Sequence, residues 1–318
     1  MVKSEPRRLI KFGNSSYIIS IPKEWIDKND LKKGDILYLE NNDDHIIITL
    51  KDKKRPTSKR ITISLANKDI DNLRREFTSA YINNYNEIIL EGKNEKKRNE
   101  LINKVIQEKV GIEIVEQTDT QTIIKDILDL EAVSFDKITR RLDNVIRSMF
   151  EDVVSALKME SFKEWTAKEI NQADTEVNKL YFLIWKIVRK CQEEPRLGAG
   201  LKVTPKELSD TQWLSLHIEY IGDNLKRIAK LLISMKLDSE SRKKVLGITS
   251  MFEKDYLGAI NAYYTNDKML ARKIAGMKHD HQKFCSNFCE ECPSAQIVGE
   301  KFREIANSIH NIAKIIAY

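Results

Sequence analysis

Apolar and polar positions change their period twice along this chain. Residues 7–50 alternate at period 2 in short runs. RRLIKFG, at 7–13, reads as a strand that stops at the Gly13-Asn14 turn signal, and residues 17–21 read as the returning strand. Pro22 opens a short helix, PKEWIDKN, at a first-turn position where its missing N–H loses nothing. LKKGD at 31–35 makes a turn, and strands at 36–40 and 45–50 pair across residues 41–44. Residues 51–56, KDKKRP, form a charged linker.

Residues 59–127 mix the two periods. RITISL is a strand, and 69–83 a helix whose apolar positions are Ile70, Leu73, Phe77 and Ala80. EIIL is a strand, and 95–109 a helix with Leu101, Val105 and Ile106. GIEIVEQ and QTIIKDIL are strands around a turn at 118–120. The βαβαββ order predicts a small α/β domain. It has neither a glycine-rich phosphate loop nor clustered catalytic residues, so a connecting or dimerising role is expected. From about residue 129 the period is 3.6 throughout, with six helices expected near 129–158, 162–192, 208–235, 238–264, 267–290 and 297–317.

One of those helices occurs twice. IEYIGDNLKRIAK, at 218–230, returns 84 residues later as FREIANSIHNIAK, at 302–314. Ile221, Ile228, Ala229 and Lys230 recur as Ile305, Ile312, Ala313 and Lys314. AKEI at 167–170 answers ARKI at 271–274 at an offset of 104. Two tandem three-helix bundles explain both offsets, with about 20 more loop residues in the first. The first copy carries Glu219 and Asp223 at i, i+4, which places both carboxylates on one helix face. The second copy has Arg303 and Asn307 there, so one ion site is expected and not two. Gly222 beside the acidic pair implies close helix approach, because glycine in a helix interior costs about 1 kcal/mol.

Composition narrows the class. Of 318 residues, 32% are charged and 41% hydrophobic, with only 11 Gly and 6 Pro, which favours a helix-rich folded chain over a disordered one. No apolar run approaches the ~20 residues that span a bilayer, and the N-terminus lacks a signal peptide's apolar core, so no membrane insertion and a cytoplasmic location are expected. Residues 1–34 carry eight Lys/Arg against four Asp/Glu, whereas 56–128 carry twelve of each. The positive balance thus sits at the N-terminus, where contact with nucleic-acid phosphates would use it.

Three of the four cysteines cluster with a histidine. His281, Cys285, Cys289 and Cys292 follow one helical stripe, an N/S ligand inventory suited to zinc. A straight stripe cannot surround an ion, so a helix break near Pro293 or a partner chain's ligand would be required. The C-x₃-C-x₂-C spacing also matches the cluster motif of radical SAM enzymes, but no barrel accompanies it. The alternative is buried thiols packed with Phe284 and Phe288. No nucleophile has a base at motif spacing, which argues against an enzyme.

Two resemblances organise these segments. The phrase GNSSYIISIPKEWIDKNDLKKGDILYLE resembles the AbrB/SpoVT family of swapped-hairpin DNA-binding domains over about 45 residues. That resemblance implies a β-barrel formed by two interleaved chains, hence a homodimer through residues 1–55. It also implies contact with double-stranded DNA through the first strand and its turn. The candidates are Arg7, Arg8, Lys11, Asn14, Ser15 and Ser16, with Lys23 and Lys28. Residues 129–318 resemble the PhoU family of phosphate-signalling proteins, through ADTEVNKLYFLI at 173–184 and HIEYIGDNLKRIAKL at 217–231. That family sets acidic pairs on two helices per bundle around a metal. Carried over residue by residue, the ligands are Asp174, Asn178, Glu219 and Asp223, with Asn178 in place of a carboxylate.

All-oxygen ligands suit Mg²⁺, Mn²⁺ or Fe. In the second bundle the matching positions are Lys278, Gln282, Arg303 and Asn307, where no ion is expected. The combination resembles archaeal proteins that join an AbrB-like head to a PhoU-like body. The chain is therefore expected to be multidomain: a head (1–55), a small α/β domain (56–128) and an all-α double bundle (129–318). The expected function is transcriptional regulation of phosphate uptake. Its rivals are an adaptor docking on a phosphate transporter or kinase, and a thiolate-metal sensor.

Overall fold

A computed structural model describes residues 5–41, 46–50, 59–66, 68–93, 96–159, 164–235 and 237–318. The turn expected at 42–44 and the linker at 51–56 lie outside the described residues. The chain divides into two compact units, Met1–Thr57 and Ser58–Tyr318.

The first unit holds two separate antiparallel hairpins and one short helix. Strand β1 (Ile10–Phe12) pairs with β2 (Ser16–Ile18) in the register Ile10↔Ile18, Phe12↔Ser16. Gly13 stands at φ +68° in the turn between them, a conformation open to glycine and strained for most other residues. Helix α1 (Lys23–Lys28) follows Pro22. Strands β3 (Leu37–Asn41) and β4 (Ile46–Leu50) form the second hairpin. No side chain described in this unit is buried. Apolar side chains lie open instead: Ile10 is 59% exposed, Phe12 66% and Leu39 66%.

The second unit opens with the α/β layer. Its elements are β5 (Arg60–Ser64), α2 (Ile70–Ile82), β6 (Glu87–Glu91), α3 (Lys96–Gln107), β7 (Ile112–Gln117) and β8 (Gln121–Asp126), the βαβαββ order the periodicity predicts. The strands lie in the order β5-β6-β8-β7, with β5 and β6 parallel and the other neighbours antiparallel. Parallel β5 and β6 require a crossover, and α2 supplies it. Ile63, Leu73, Phe77, Ile88, Leu90, Ile102, Val105 and Ile124 form its buried core.

Among the described residues eight helices follow: α4 (Phe135–Lys158), α5 (Glu164–Glu193), α6 (Pro195–Gly200), α7 (Pro205–Ser234), α8 (Ser239–Thr265), α9 (Lys268–Gly276), α10 (Lys278–Glu291) and α11 (Gln296–Ala317). Side-chain caps set the starts of four of them. Ser134 accepts from the amide of Lys137, which starts α4 six residues later than expected, after a 3₁₀ turn at Leu130–Ala132. Thr204 and Glu207 form a reciprocal capping box at α7, and Asp238 and Asp267 cap α8 and α9.

The helix expected at 267–290 is two helices. Met277 bonds back to Ile274 in a tightened turn after Gly276, and α10 starts afresh there. A short helix, α6, also occupies part of the expected loop between the second and third long helices. Helices α4, α5 and α7 pack as one bundle, and α8, α9, α10 and α11 as its counterpart. The duplicated helices α7 and α11 pack against each other, as do α4 and α8, so one hydrophobic core runs through both bundles.

The α/β layer is fastened to α5 by buried polar contacts. Lys186, fully buried on α5, donates to Asp126 Oδ2 at 2.7 Å and to the Tyr81 carbonyl at 3.2 Å. Lys109 lies buried over the Phe182 ring, 4.5 Å from its centre, and burial lowers its pKa to about 8.

Candidate functional site

The residues expected to contact DNA occupy one short stretch of the first unit, and all are exposed. Arg7 and Arg8 precede β1, Lys11 lies on it, Asn14 and Ser15 form the turn with Gly13, and Ser16 opens β2. Lys23 and Lys28 stand at the two ends of α1. Arg7 pairs with Glu5, which removes part of its charge from that stretch.

The four expected metal ligands fall on α5 and α7, and the structure brings three of them together around a residue the sequence reading passed over. Lys226 Nζ donates to Asp174 Oδ2 at 2.7 Å and to Asp223 Oδ1 at 2.7 Å. Asn178 donates to the Asp174 carbonyl at 3.0 Å and to its Oδ2 at 3.3 Å. Arg227 approaches the other Asp223 oxygen at 3.2 Å. Glu219 stands beside them; burial first, and then Asp223 and Asp174, raise its pKa to about 7. Burial also raises Asp174, against the pull of Lys226.

This donor set fits a metal poorly. A divalent ion would have to expel an ammonium that already bridges two carboxylates, and one of its four ligands is a carboxamide. Among the described residues no group of three or more His, Cys, Asp or Glu is arranged to hold a metal ion. The i, i+3 spacing of Asp223 and Lys226 is compatible with their half of the pairing, but the reach to Asp174 comes only from the packing of α5 against α7.

In the second bundle Arg303 stands at the position that answers Glu219. Arg303 pairs with Glu300 and approaches Ser286. Of the thiol stripe, Cys285 and Cys292 are buried and Cys289 partly so. Helix α10 does end at Glu291, just before Pro293. Burial raises Cys285 to about 11 and raises Cys289, so both are neutral thiols near pH 7. Cys289 Sγ lies 3.6 Å from the Gln296 carbonyl, and Cys292 Sγ 3.7 Å from Ser294 Oγ.

His281 faces elsewhere. Its Nδ1 lies 2.9 Å from His310 Nε2, and its Nε2 lies 2.9 Å from Asp255 Oδ2. The two imidazoles stack at 6° with centres 5.1 Å apart, both buried. Burial and the neighbouring His281 lower His310 to about 4, so it is neutral in the folded chain. His310 occupies the repeat position of Lys226, 84 residues on. The second bundle thus places an uncharged imidazole where the first places a cation.

Comparison with known families divides along the same lines. Residues 139–232 match the PhoU domain. The match begins within α4 and ends within α7, so it covers the first bundle, including Asp174, Asn178, Glu219, Asp223 and Lys226. Residues 10–60 match a second family, described as antidote-toxin recognition MazE, bacterial antitoxin, whose domain is of the AbrB type. No curated protein and no solved structure matches the chain. Both families are regulatory and non-enzymatic. The chain thus joins an N-terminal segment similar to MazE-type domains to a first helical bundle similar to the PhoU domain. Among the described residues no helix is long and apolar enough to cross a membrane.

Proposed function

We propose that this protein is a dimeric, DNA-binding regulator of phosphate uptake, with the PhoU-like body as its sensing part. One observation carries the head's role. Residues 5–41 and 46–50 fold into hairpins with no buried side chain described, while Ile10, Phe12, Tyr17, Ile18 and Leu39 stand open to solvent. About 45 residues with no interior cannot be stable alone. A second copy of the same segment, interleaving its hairpins, is the partner that the AbrB-type match supports. Dimerisation would also double the cationic stretch formed by Arg8, Lys11, Lys23 and Lys28 and offer two contacts to one duplex.

The PhoU match over residues 139–232 and the two-fold construction support the body's sensing role. A change in the packing of α7 against α11 would alter the relation of the two bundles, and a dimer could pass that change to the DNA contacts. The acidic cluster enters this reading as an internally neutralised site, with Lys226 in the place of a divalent ion.

Gel shifts of the full chain on DNA from upstream of phosphate-transport genes test the reading. A shifted complex at low salt, lost in an Arg8→Glu/Lys11→Glu variant that still melts cooperatively, is the expected result. No shift at low salt overturns it in favour of an adaptor that docks on a transporter or kinase.

A further inference from the structure

A cleft of about 380 Å³ lies between α7 and α11, lined by His217, Tyr220, Asp223, Asn224 and Arg227 on one side and by Glu304, Asn307, Ser308 and Asn311 on the other. Its volume falls within the ~300–1,000 Å³ of small-ligand sites. Four pairs of its residues are related by the repeat offset of 84: Tyr220 and Glu304, Asp223 and Asn307, Asn224 and Ser308, Arg227 and Asn311. The cleft therefore sits where the two copies of the duplicated helix face each other. The copies have diverged in complementary ways. The α7 side holds the aromatic rings and Arg227, and the α11 side holds carboxamides, a hydroxyl and Glu304.

Two buried polar atoms in the lining have no partner among the described residues: Nδ1 of His217, a residue 7% exposed, and Oδ1 of Asn224, a residue 4% exposed. Buried polar atoms are rarely left unpaired, because each unmade hydrogen bond costs about 1–3 kcal/mol. Asn224 Nδ2 donates to the Tyr220 carbonyl at 2.8 Å, which leaves its Oδ1 as a bare acceptor. Burial lowers the pKa of His217, so its ring is neutral and can accept as well as donate. The His217 ring is itself fixed. Trp213 stacks on it at 5.8 Å and 23°, and Tyr220, 47% exposed, meets it edge-on at 6.1 Å.

The lining suits a bare phosphate poorly. Arg227, the cation in the lining, is already 3.2 Å from Asp223, which also holds Lys226, and Glu304 pairs with Lys301. What fits is neutral, planar and rich in hydrogen-bonding edges. It would offer an N–H donor to Asn224 Oδ1, meet the carboxamides of Asn307 and Asn311, and lay a face on Tyr220. We propose that this cleft binds a nucleobase bearing an exocyclic amine, carried on a nucleoside or nucleotide. The inference concerns the helical unit and stands whether or not the head binds DNA.

Equilibrium dialysis of the full-length chain tests it with adenosine, guanosine, cytidine, uridine, purine riboside and inorganic phosphate. At least one amine-bearing nucleoside should bind saturably, with purine riboside and uridine ten-fold or more weaker. Asn307→Trp, a substitution at an exposed position that fills the cleft, should abolish binding with cooperative melting retained. Tyr220→Ala should weaken binding at least five-fold. Any one of three results overturns the proposal: no saturable nucleoside binding up to millimolar concentration, purine riboside or uridine binding as tightly as the best amine-bearing nucleoside, or unchanged binding by the Asn307→Trp variant. Binding of inorganic phosphate alone would do the same.

Discussion

At the scale of single residues, the first bundle's acidic cluster turns on Lys226. Asp174, buried to 6% exposure, and Asp223 share its ammonium, so Lys226→Met leaves two facing carboxylates without their cation. A loss of roughly 2–4 kcal/mol is expected by chemical denaturation, the order seen when one partner of a buried pair is removed. Millimolar Mn²⁺ should restore part of the melting temperature in that variant and leave the parent unchanged.

Glu219 gives a pH dependence of definite sign. Its pKa is raised from 4.5 to about 7, so the folded chain holds a proton there that the unfolded chain has released, and this group's contribution falls as pH rises from 4.5 through 7. Glu219→Gln should therefore stabilise the protein at pH 8, on the order of 1–3 kcal/mol, and have little effect at pH 4, as parallel urea titrations would show. The sequence disclosed Glu219 and Asp223 through their shared helix face. It hid Lys226 because a lysine at i+3 on a charged helix is ordinary, and only the packing of α5 against α7 brings Asp174 within its reach.

At the scale of elements, close approach is enforced by glycine. A Cβ on Gly299 of α11 would stand 2.5 Å from Cys289 Sγ and 2.8 Å from Phe288 Cδ1, so α10 and α11 touch there without room for a methyl. Gly299→Ala should destabilise by about 1–3 kcal/mol in spite of alanine's higher helix propensity, and a fall in thermal midpoint measures it. Gly222 packs α7 less tightly, since its added Cβ would meet the flexible Ile146 Cδ1 at 3.0 Å.

The α/β layer depends on Lys186 in the same way. Asp126→Asn strips a fully buried ammonium of its carboxylate and should lower stability by about 3–5 kcal/mol. The period of the apolar positions disclosed nearly every element, including the βαβαββ order and the six long helical stretches. What it missed are local events. The break between α9 and α10 hides in unbroken apolar periodicity, and α6 hides in a proline- and glycine-bearing stretch that reads as loop. The His281–His310 stack was invisible because 29 residues separate partners that only the packing of α10 on α11 unites.

At the scale of the whole molecule, the two units differ in kind. The helical and α/β unit carries its own cores, whereas the head exposes the apolar residues that would make one. Phe12→Asp should dissociate the dimer in sedimentation experiments while the helical unit's circular dichroism stays intact, because its own cores lie within residues 58–318. Whether a head-mediated dimer grips a duplex by its phosphates is read from the salt dependence of DNA binding by the full-length chain. Affinity for duplex DNA should fall log-linearly with salt. Its slope should be about −4 to −7, corresponding to roughly four to eight phosphates neutralised by two heads. Absence of binding at low salt, or a complex insensitive to salt, would contradict the account.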